Sequence, residues 1–242
     1  MSDPVMSATQ FVETAQKIAQ QPSLYVMGAF GAPSTSTSRA RYTGPNANPY
    51  NQQTERKNMI LSSQTGTWFF DCIGLIKGIL WGFRFDLAAT YGGAIYESNG
   101  VPDSDADTYI GLCTDVSTDF TNVQPGEMLW KSGHAGIYIG AQLAVECTPA
   151  FANRVQVTSV QNMGNVTYPA RTWTKHGKLP FVDYTQMPFT DVRGAENRAA
   201  VQWAWENGIT QGTSATTFSP NNPCTRIQIV KFLKRFYDQF IA

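Results

Sequence analysis

Two histidines in 242 residues leave little room for imidazole chemistry, and the four cysteines, at 72, 113, 147 and 224, lack any Cys-x-x-Cys spacing. No metal site and no cofactor is expected from such a set, and a disulfide framework is not expected either. The thiols are therefore read as free. Charged residues amount to only 15% of the chain, and Lys+Arg and Asp+Glu balance at 18 each. A balanced chain carries no electrostatic footprint for nucleic acid. No apolar run reaches the roughly 18 residues that a membrane span requires. Met1 to Gln10 lacks a basic stretch followed by an apolar one, so synthesis in the cytoplasm without a signal peptide is expected.

What is present is globular. Hydrophobic residues make up 42%, enough for one large domain or a medium one with a small companion. The chain is organised around Trp68-Phe69-Phe70-Asp71-Cys72-Ile73-Gly74-Leu75 and the apolar run that follows. Cys72, Ile76, Ile79, Leu80 and Phe83 recur at the spacing of one helix face. Asp71 is placed to cap that helix, with Cys72 in its first turn. The positive end of a helix stabilises a thiolate and lowers a cysteine pKa from about 8.5 to roughly 3.5–7.5.

Upstream, Phe11, Val12, Ala15, Ile18 and Ala19 predict an amphipathic helix over about 8–20. Tyr25 to Gly31 reads as a short apolar strand or turn. Gly31 to Asn51, rich in Ser, Thr, Gly, Pro and Asn, reads as a long loop, and Tyr50 to Ser62 as a short helix. Asp103-Ser104-Asp105-Ala106-Asp107 begins like a calcium loop. However, Thr108 stands where the tight-turn glycine belongs and Thr114 where the bidentate glutamate belongs. A helix start with acids near the dipole is the better account. Met128–Trp130, the run after Gly133, Ala144–Cys147 and Val155–Val157 then suggest an antiparallel meander. His134 opens one strand and Glu146 lies on the next, where a buried carboxylate needs a partner. Trp173 to Val182 reads as a closing strand, with His176 exposed beside two lysines. Cysteine at a helix start, histidine on a sheet and a carboxylate to orient it are the parts of a thiol nucleophile, base and orienting acid.

Those residues also carry a resemblance. Phe70-Asp71-Cys72-Ile73-Gly74-Leu75, Gly133-His134-Ala135-Gly136-Ile137-Tyr138-Ile139-Gly140 and the upstream Tyr25-Val26-Met27-Gly28 resemble motifs of the NlpC/P60 cysteine peptidases, a papain-like group that cuts bacterial cell-wall peptides. The resemblance spans about residues 8–183. It implies an α+β fold with N-terminal helices packed on an antiparallel sheet, and catalytic Cys72, His134 and Glu146 with Tyr25 at the reacting centre. The implied partner is a peptidoglycan stem peptide, cut between D-isoglutamate and the diamino acid, with no nucleic acid or membrane partner. Ile73 stands where serine is usual, Glu146 where histidine is commoner, and Gly31–Gly66 is longer than the usual connection. The related CHAP group shares the cysteine-then-histidine layout and implies an N-acetylmuramoyl-L-alanine amidase instead.

Residues 184–188 read as a linker and 189–242 as a small helical domain. Phe189-Thr190-Asp191-Val192, Ala200-Val201-Gln202-Trp203-Ala204, Asn207-Gly208-Ile209-Thr210-Gln211-Gly212, Phe218-Ser219-Pro220 and Thr225-Arg226 resemble an S-layer homology (SLH) repeat. Thr225 and Gln228 form a capping-box pattern for the second helix. The resemblance implies that Thr225 and Arg226 bind an anionic secondary wall polysaccharide, and that a single repeat assembles as a homo-oligomer, a trimer being the simplest. The alternative for Arg226 is an ion pair with an acid such as Asp191. The chain as a whole resembles a phage endolysin, made in the cytoplasm and acting at the wall after release. Two other readings are a non-catalytic wall-binding protein, disfavoured by the intact Cys72, His134 and Glu146, and a cytoplasmic acyl-transferring enzyme, disfavoured by the tail.

Overall fold

The computed structural model describes residues 4–185 and 187–241, and the chain divides into two compact units, residues 1–183 and 184–242. The first unit runs β1 (Met6–Ser7), α1 (Ala8–Ala19), β2 (Ser23–Tyr25), β3 (Phe30–Pro33), α2 (Ser36–Thr43), α3 (Pro49–Gln52), α4 (Thr54–Ser62), β4 (Trp68–Phe70) and α5 (Cys72–Leu80). It continues with α6 (Ala106–Leu112), β5 (Thr114–Ser117), β6 (Met128–Lys131), β7 (His134–Gly140), β8 (Leu143–Cys147), β9 (Val155–Val160), β10 (Ala170–Arg171), β11 (Lys175–Lys178) and β12 (Val182–Asp183). The architecture is α+β, as expected.

α1 starts at a capping box in which Ser7 Oγ accepts the Gln10 N–H and Gln10 Oε1 accepts the Ser7 N–H, both at 3.2 Å. The five apolar positions that predicted it, Phe11, Val12, Ala15, Ile18 and Ala19, are all buried. α5 departs from the one-faced helix expected: every residue from Cys72 to Leu80 is buried, so it is a central helix rather than an amphipathic one. Even Lys77 is inside, its charge met by Asp103. α1 and α5 pack against β7 and β8. Truncating a side chain such as Leu75, fully buried here, costs about 2–5 kcal/mol.

The large sheet has seven strands in the order β10-β9-β8-β7-β6-β11-β5. It is antiparallel except for the parallel β9–β10 edge. A second sheet, β2-β4-β3, carries Tyr25 beside the strand that leads into Cys72, with Tyr25 in register with Phe70.

Two further expectations are corrected, and a third, the helix start in the acidic run at 103–107, is borne out. Part of the stretch expected as a loop after Gly31 forms α2, started by a second capping box in which Thr35 Oγ1 accepts the Ser38 N–H at 3.1 Å. Its buried face is Ser38, Tyr42 and Thr43, so apolar periodicity does not mark it. His176, expected at the surface, is buried in β11 between Glu127 and the Asp119 carbonyl. The acidic run at 103–107 is taken up residue by residue. Asp103 pairs with Lys77, Asp105 caps α6 through the Thr108 N–H, and Asp107 accepts the Gly133 N–H at 2.7 Å.

The second unit holds α7 (Ala195–Glu206) and α8 (Arg226–Phe240). Met187, Phe189, Val192 and Val201 form its core, so Met187 of the expected linker is a core residue; Gln186 of that linker lies outside the described residues.

Candidate active site

Asp71 joins two parts of the site. Its Oδ1 accepts the Gly74 N–H at 2.5 Å, capping α5, and its Oδ2 accepts the Gly28 N–H at 2.6 Å. The nucleophile helix and the Tyr25–Gly28 turn are thus tied to one carboxylate. Gly28 adopts φ +81°, which glycine alone adopts without strain. Burial raises the Asp71 carboxyl above its ordinary value, while the two N–H donors pull the other way.

Cys72 lies at the first turn of α5 with 7% of its surface exposed. Its Sγ is 4.0 Å from the Gly133 carbonyl, and the Ala135 N–H is directed at the sulfur. The thiolate expected from the helix position is not the resting form. Burial, followed by the neighbouring Asp71 charge, pushes the thiol up to about 12. Desolvation outweighs the helix end and the three N–H groups that favour the anion. A base is needed to take the proton.

The β7–β8 register supplies it. Ile137 pairs with Val145, which sets Gly136 across from Glu146 and puts His134 on the same face, two residues along. His134 Nε2 meets Glu146 Oε2 at 2.6 Å. Glu146 is wholly buried, and its Oε1 also accepts from Thr158 Oγ1 at 2.8 Å. Arg171 Nε bridges both carboxylate oxygens, at 2.9 and 2.7 Å. Burial alone would raise the Glu146 carboxyl. The hydrogen bonds from His134 and Arg171 outweigh it and hold the group below the usual range. With Glu146 ionised, Nε2 carries the imidazole proton and Nδ1 carries the lone pair. Among the described residues no hydrogen bond involves Nδ1. Trp173 stacks on His134 with ring centroids 5.5 Å apart and planes 9° off parallel. A Cβ at Gly136 would come within 2.7 Å of that indole, so the glycine makes room for the stack.

Tyr25 is buried, and its hydroxyl faces the Met27 Sδ at 3.8 Å, a weak acceptor. Burial raises its pKa, with the Cys72 and Asp71 charges adding to the effect, so it is a neutral donor. His134 and Glu146 thus share one face of the sheet, Cys72 lies at the start of the helix beside the backbone of Gly133 and Ala135, and Tyr25 is tied in through Asp71. Sequence reading missed Arg171, Thr158 and Trp173. Arg171 and Trp173 alternate along the segment from β10 towards β11, a spacing that carries no signal until the sheet forms.

In the second unit, Thr225 Oγ1 accepts the Gln228 N–H at 3.3 Å and Gln228 Oε1 accepts the Thr225 N–H at 2.7 Å, completing the expected capping box. Arg226 is exposed at the start of α8. Asp191, the alternative partner for it, instead accepts the Phe218 and Ser219 N–H groups at 2.8 and 2.7 Å.

A buried thiol, an imidazole with one open nitrogen and a buried anionic carboxylate form the set of groups that thiol-dependent acyl transfer requires. Residues 188–230 match the family model of the S-layer homology domain, so the second unit carries an SLH domain. No curated protein matches the sequence. The fold is similar to NlpC2 from Trichomonas vaginalis (12% identity, TM-score 0.38, covering 72% of this chain and 46% of that one). It is also similar to the peptidoglycan hydrolase RipB from Mycobacterium tuberculosis (18% identity, TM-score 0.38, covering 73% and 66%). A third likeness is to the P60 domain of an M. avium paratuberculosis antigen (13% identity, TM-score 0.35, covering 71% and 93%). The chain spans less than half the length of the Trichomonas protein.

Proposed function

We propose that residues 1–183 form a peptidoglycan hydrolase that cuts a stem-peptide amide with Cys72. The observation that carries this reading is the open Nδ1 of His134 on the strand that shelters the Cys72 sulfur. Nδ1 takes the thiol proton as sulfur attacks the amide carbon. Tyr25 donates a hydrogen bond to the oxyanion, and Glu146 stabilises the imidazolium. The imidazolium returns the proton to the leaving amine as the C–N bond breaks. Water, giving its proton to His134, then opens the thioester and restores the thiol. The bond proposed is the amide between D-isoglutamate and the diamino acid.

The test is digestion of purified peptidoglycan with mass spectrometry of the newly exposed amine. The parent should free the amine of the diamino acid, and a folded Cys72→Ala protein should free none. A new amine on L-alanine alone would make the enzyme an amidase. Cleavage by a well-folded Cys72→Ala protein removes the thiol mechanism.

We further propose that the SLH domain holds the enzyme at the wall, with Arg226 and the N-terminus of α8 taking an anionic sugar substituent. Ile227, Val230 and Leu233 of α8 are 58–62% exposed, an apolar face suited to association of copies as a trimer, which would multiply a weak site. Light scattering should show an oligomer that becomes monomeric when residues 189–242 are deleted. Arg226→Ala should weaken pelleting with walls without slowing cleavage of a soluble stem peptide.

A further inference from the structure

The segment from Gly31 to Gly66 takes no part in the chemistry just described, yet its helices direct polar side chains at the Tyr25 turn. Asn51, 1% exposed, holds Met27 on both sides: Oδ1 accepts the Met27 N–H at 3.0 Å and Nδ2 donates to the Met27 carbonyl at 2.9 Å. Arg56, 8% exposed, donates from Nη2 to the Tyr25 carbonyl at 2.7 Å and from Nη1 to Asn153 Oδ1 at 2.8 Å. The Asn153 carbonyl in turn accepts the Tyr25 N–H at 3.1 Å. The guanidinium carbon sits 5.6 Å from the centre of the Tyr25 ring and 5.1 Å from that of Tyr50. Those two rings meet edge to face at 6.0 Å.

A guanidinium is costly to bury without a counter-charge, and among the described residues no carboxylate forms an ion pair with Arg56. Apolar side chains would fill the same space at less cost. What they could not do is bind three polar groups of the turn: the Tyr25 carbonyl and both sides of Met27. On its other side the same turn is tied to the nucleophile helix through Gly28 and Asp71. The Tyr25 ring is therefore fixed between two anchors, one on the helix that carries Cys72 and one on the inserted segment.

We propose that Arg56 and Asn51 are positioning residues, and that the inserted segment is a clamp that sets the Tyr25 phenol against the developing oxyanion. This rests on the Tyr25 role in the function proposed above. Hydrolysis of peptidoglycan and of a soluble stem peptide is to be measured for the parent, Tyr25→Phe, Arg56→Met, Arg56→Lys and the Tyr25→Phe/Arg56→Met double variant, with melting curves for each. Tyr25→Phe should lower kcat by about 100-fold. Arg56→Met should lower kcat by about tenfold with KM changed less than about twofold, because a displaced donor is lost in the transition state rather than in binding. Arg56→Lys should recover most of that loss. The double variant should be no slower than Tyr25→Phe alone, since Arg56 acts through the phenol.

A double variant slower by the product of the two single effects overturns the clamp and leaves the cysteine mechanism standing, as does an Arg56→Met protein at the parental kcat. Tyr25→Phe at the parental rate overturns the clamp by removing what it would position. A folded parent with no hydrolysis overturns the reading of the function itself. Should Arg56→Met fail to fold, Asn51→Ala takes its place in the same cycle with the same expectations.

Discussion

Two histidine–glutamate pairs lie in one region of the molecule, and they differ at a single nitrogen. At His134, Nε2 is bonded to Glu146 and Nδ1 carries no bond among the described residues. At His176, Nδ1 is bonded to Glu127 and Nε2 to the Asp119 carbonyl, at 2.8 Å for the latter. Both carboxylates are buried, and both imidazoles have a ring beside them, Trp173 for one and Phe120 for the other. Even a cysteine accompanies the second pair, since the Cys113 thiol feels the Glu127 charge. The residue types alone therefore do not separate a reactive set from a brace. Both nitrogens of the second imidazole are engaged, so neither is open to a thiol, and its bonds hold β11 to the turn at Asp119.

The widest separation between the pairs should come from alanine substitution. His134→Ala should cut hydrolysis by about a thousandfold, with a melting temperature close to the parent's. His176→Ala should do the reverse. It leaves Glu127 buried without its partner, which costs about 3–5 kcal/mol in urea unfolding, while kcat per folded molecule stays near the parental value. Equal losses of activity in the two variants, measured per folded molecule, would erase the distinction.

Amide replacements sharpen it. Glu146→Gln keeps an oxygen for Nε2 but loses the charge that steadies the imidazolium, and should lower kcat by roughly 10- to 100-fold, less than His134→Ala. Glu127→Gln should move stability and leave kcat alone. The pH dependence has a definite sign at Glu146. Its carboxyl is held below the ordinary 4.5, so its contribution to stability is complete above that pH and fades as the pH falls through the folded value. Urea midpoints over a pH series should therefore show the gap between parent and Glu146→Gln closing only on the acid side. The smallest effect expected is that of Trp173→Phe. It should weaken the stack on His134 by about 1 kcal/mol and slow hydrolysis a few fold.

Local signals were legible before any fold existed. The Thr225 capping box, the Asp71 cap and the helical spacing around Cys72 all act within a turn or two of chain. The His134–Glu146 face also followed from strand alternation on adjacent strands. α2 was not legible, because its buried face is Ser38, Tyr42 and Thr43 rather than an apolar stripe. His176 was misplaced because two flanking lysines suggest solvent, whereas its partner Glu127 is 49 residues away. Arg171 reaches Glu146 across 25 residues and shows only once β8, β9 and β10 lie side by side. The thiol was misjudged for a different reason: the helix end acts locally and is visible in the sequence, but the desolvation that outweighs it comes from the whole surround.

That sheltered thiol also sets how the protein can be handled. Oxidants and alkylating reagents act on thiolates, and burial holds the Cys72 thiol protonated at neutral pH. A preparation left in air should keep its Cys72 reduced, and a labelling reagent should spend itself first on the exposed Cys224. Under the proposed mechanism, reactivity at Cys72 then reports a sulfur that His134 has deprotonated, which makes slow covalent capture a gauge of engagement with a bound carbonyl rather than of how much protein is in the tube.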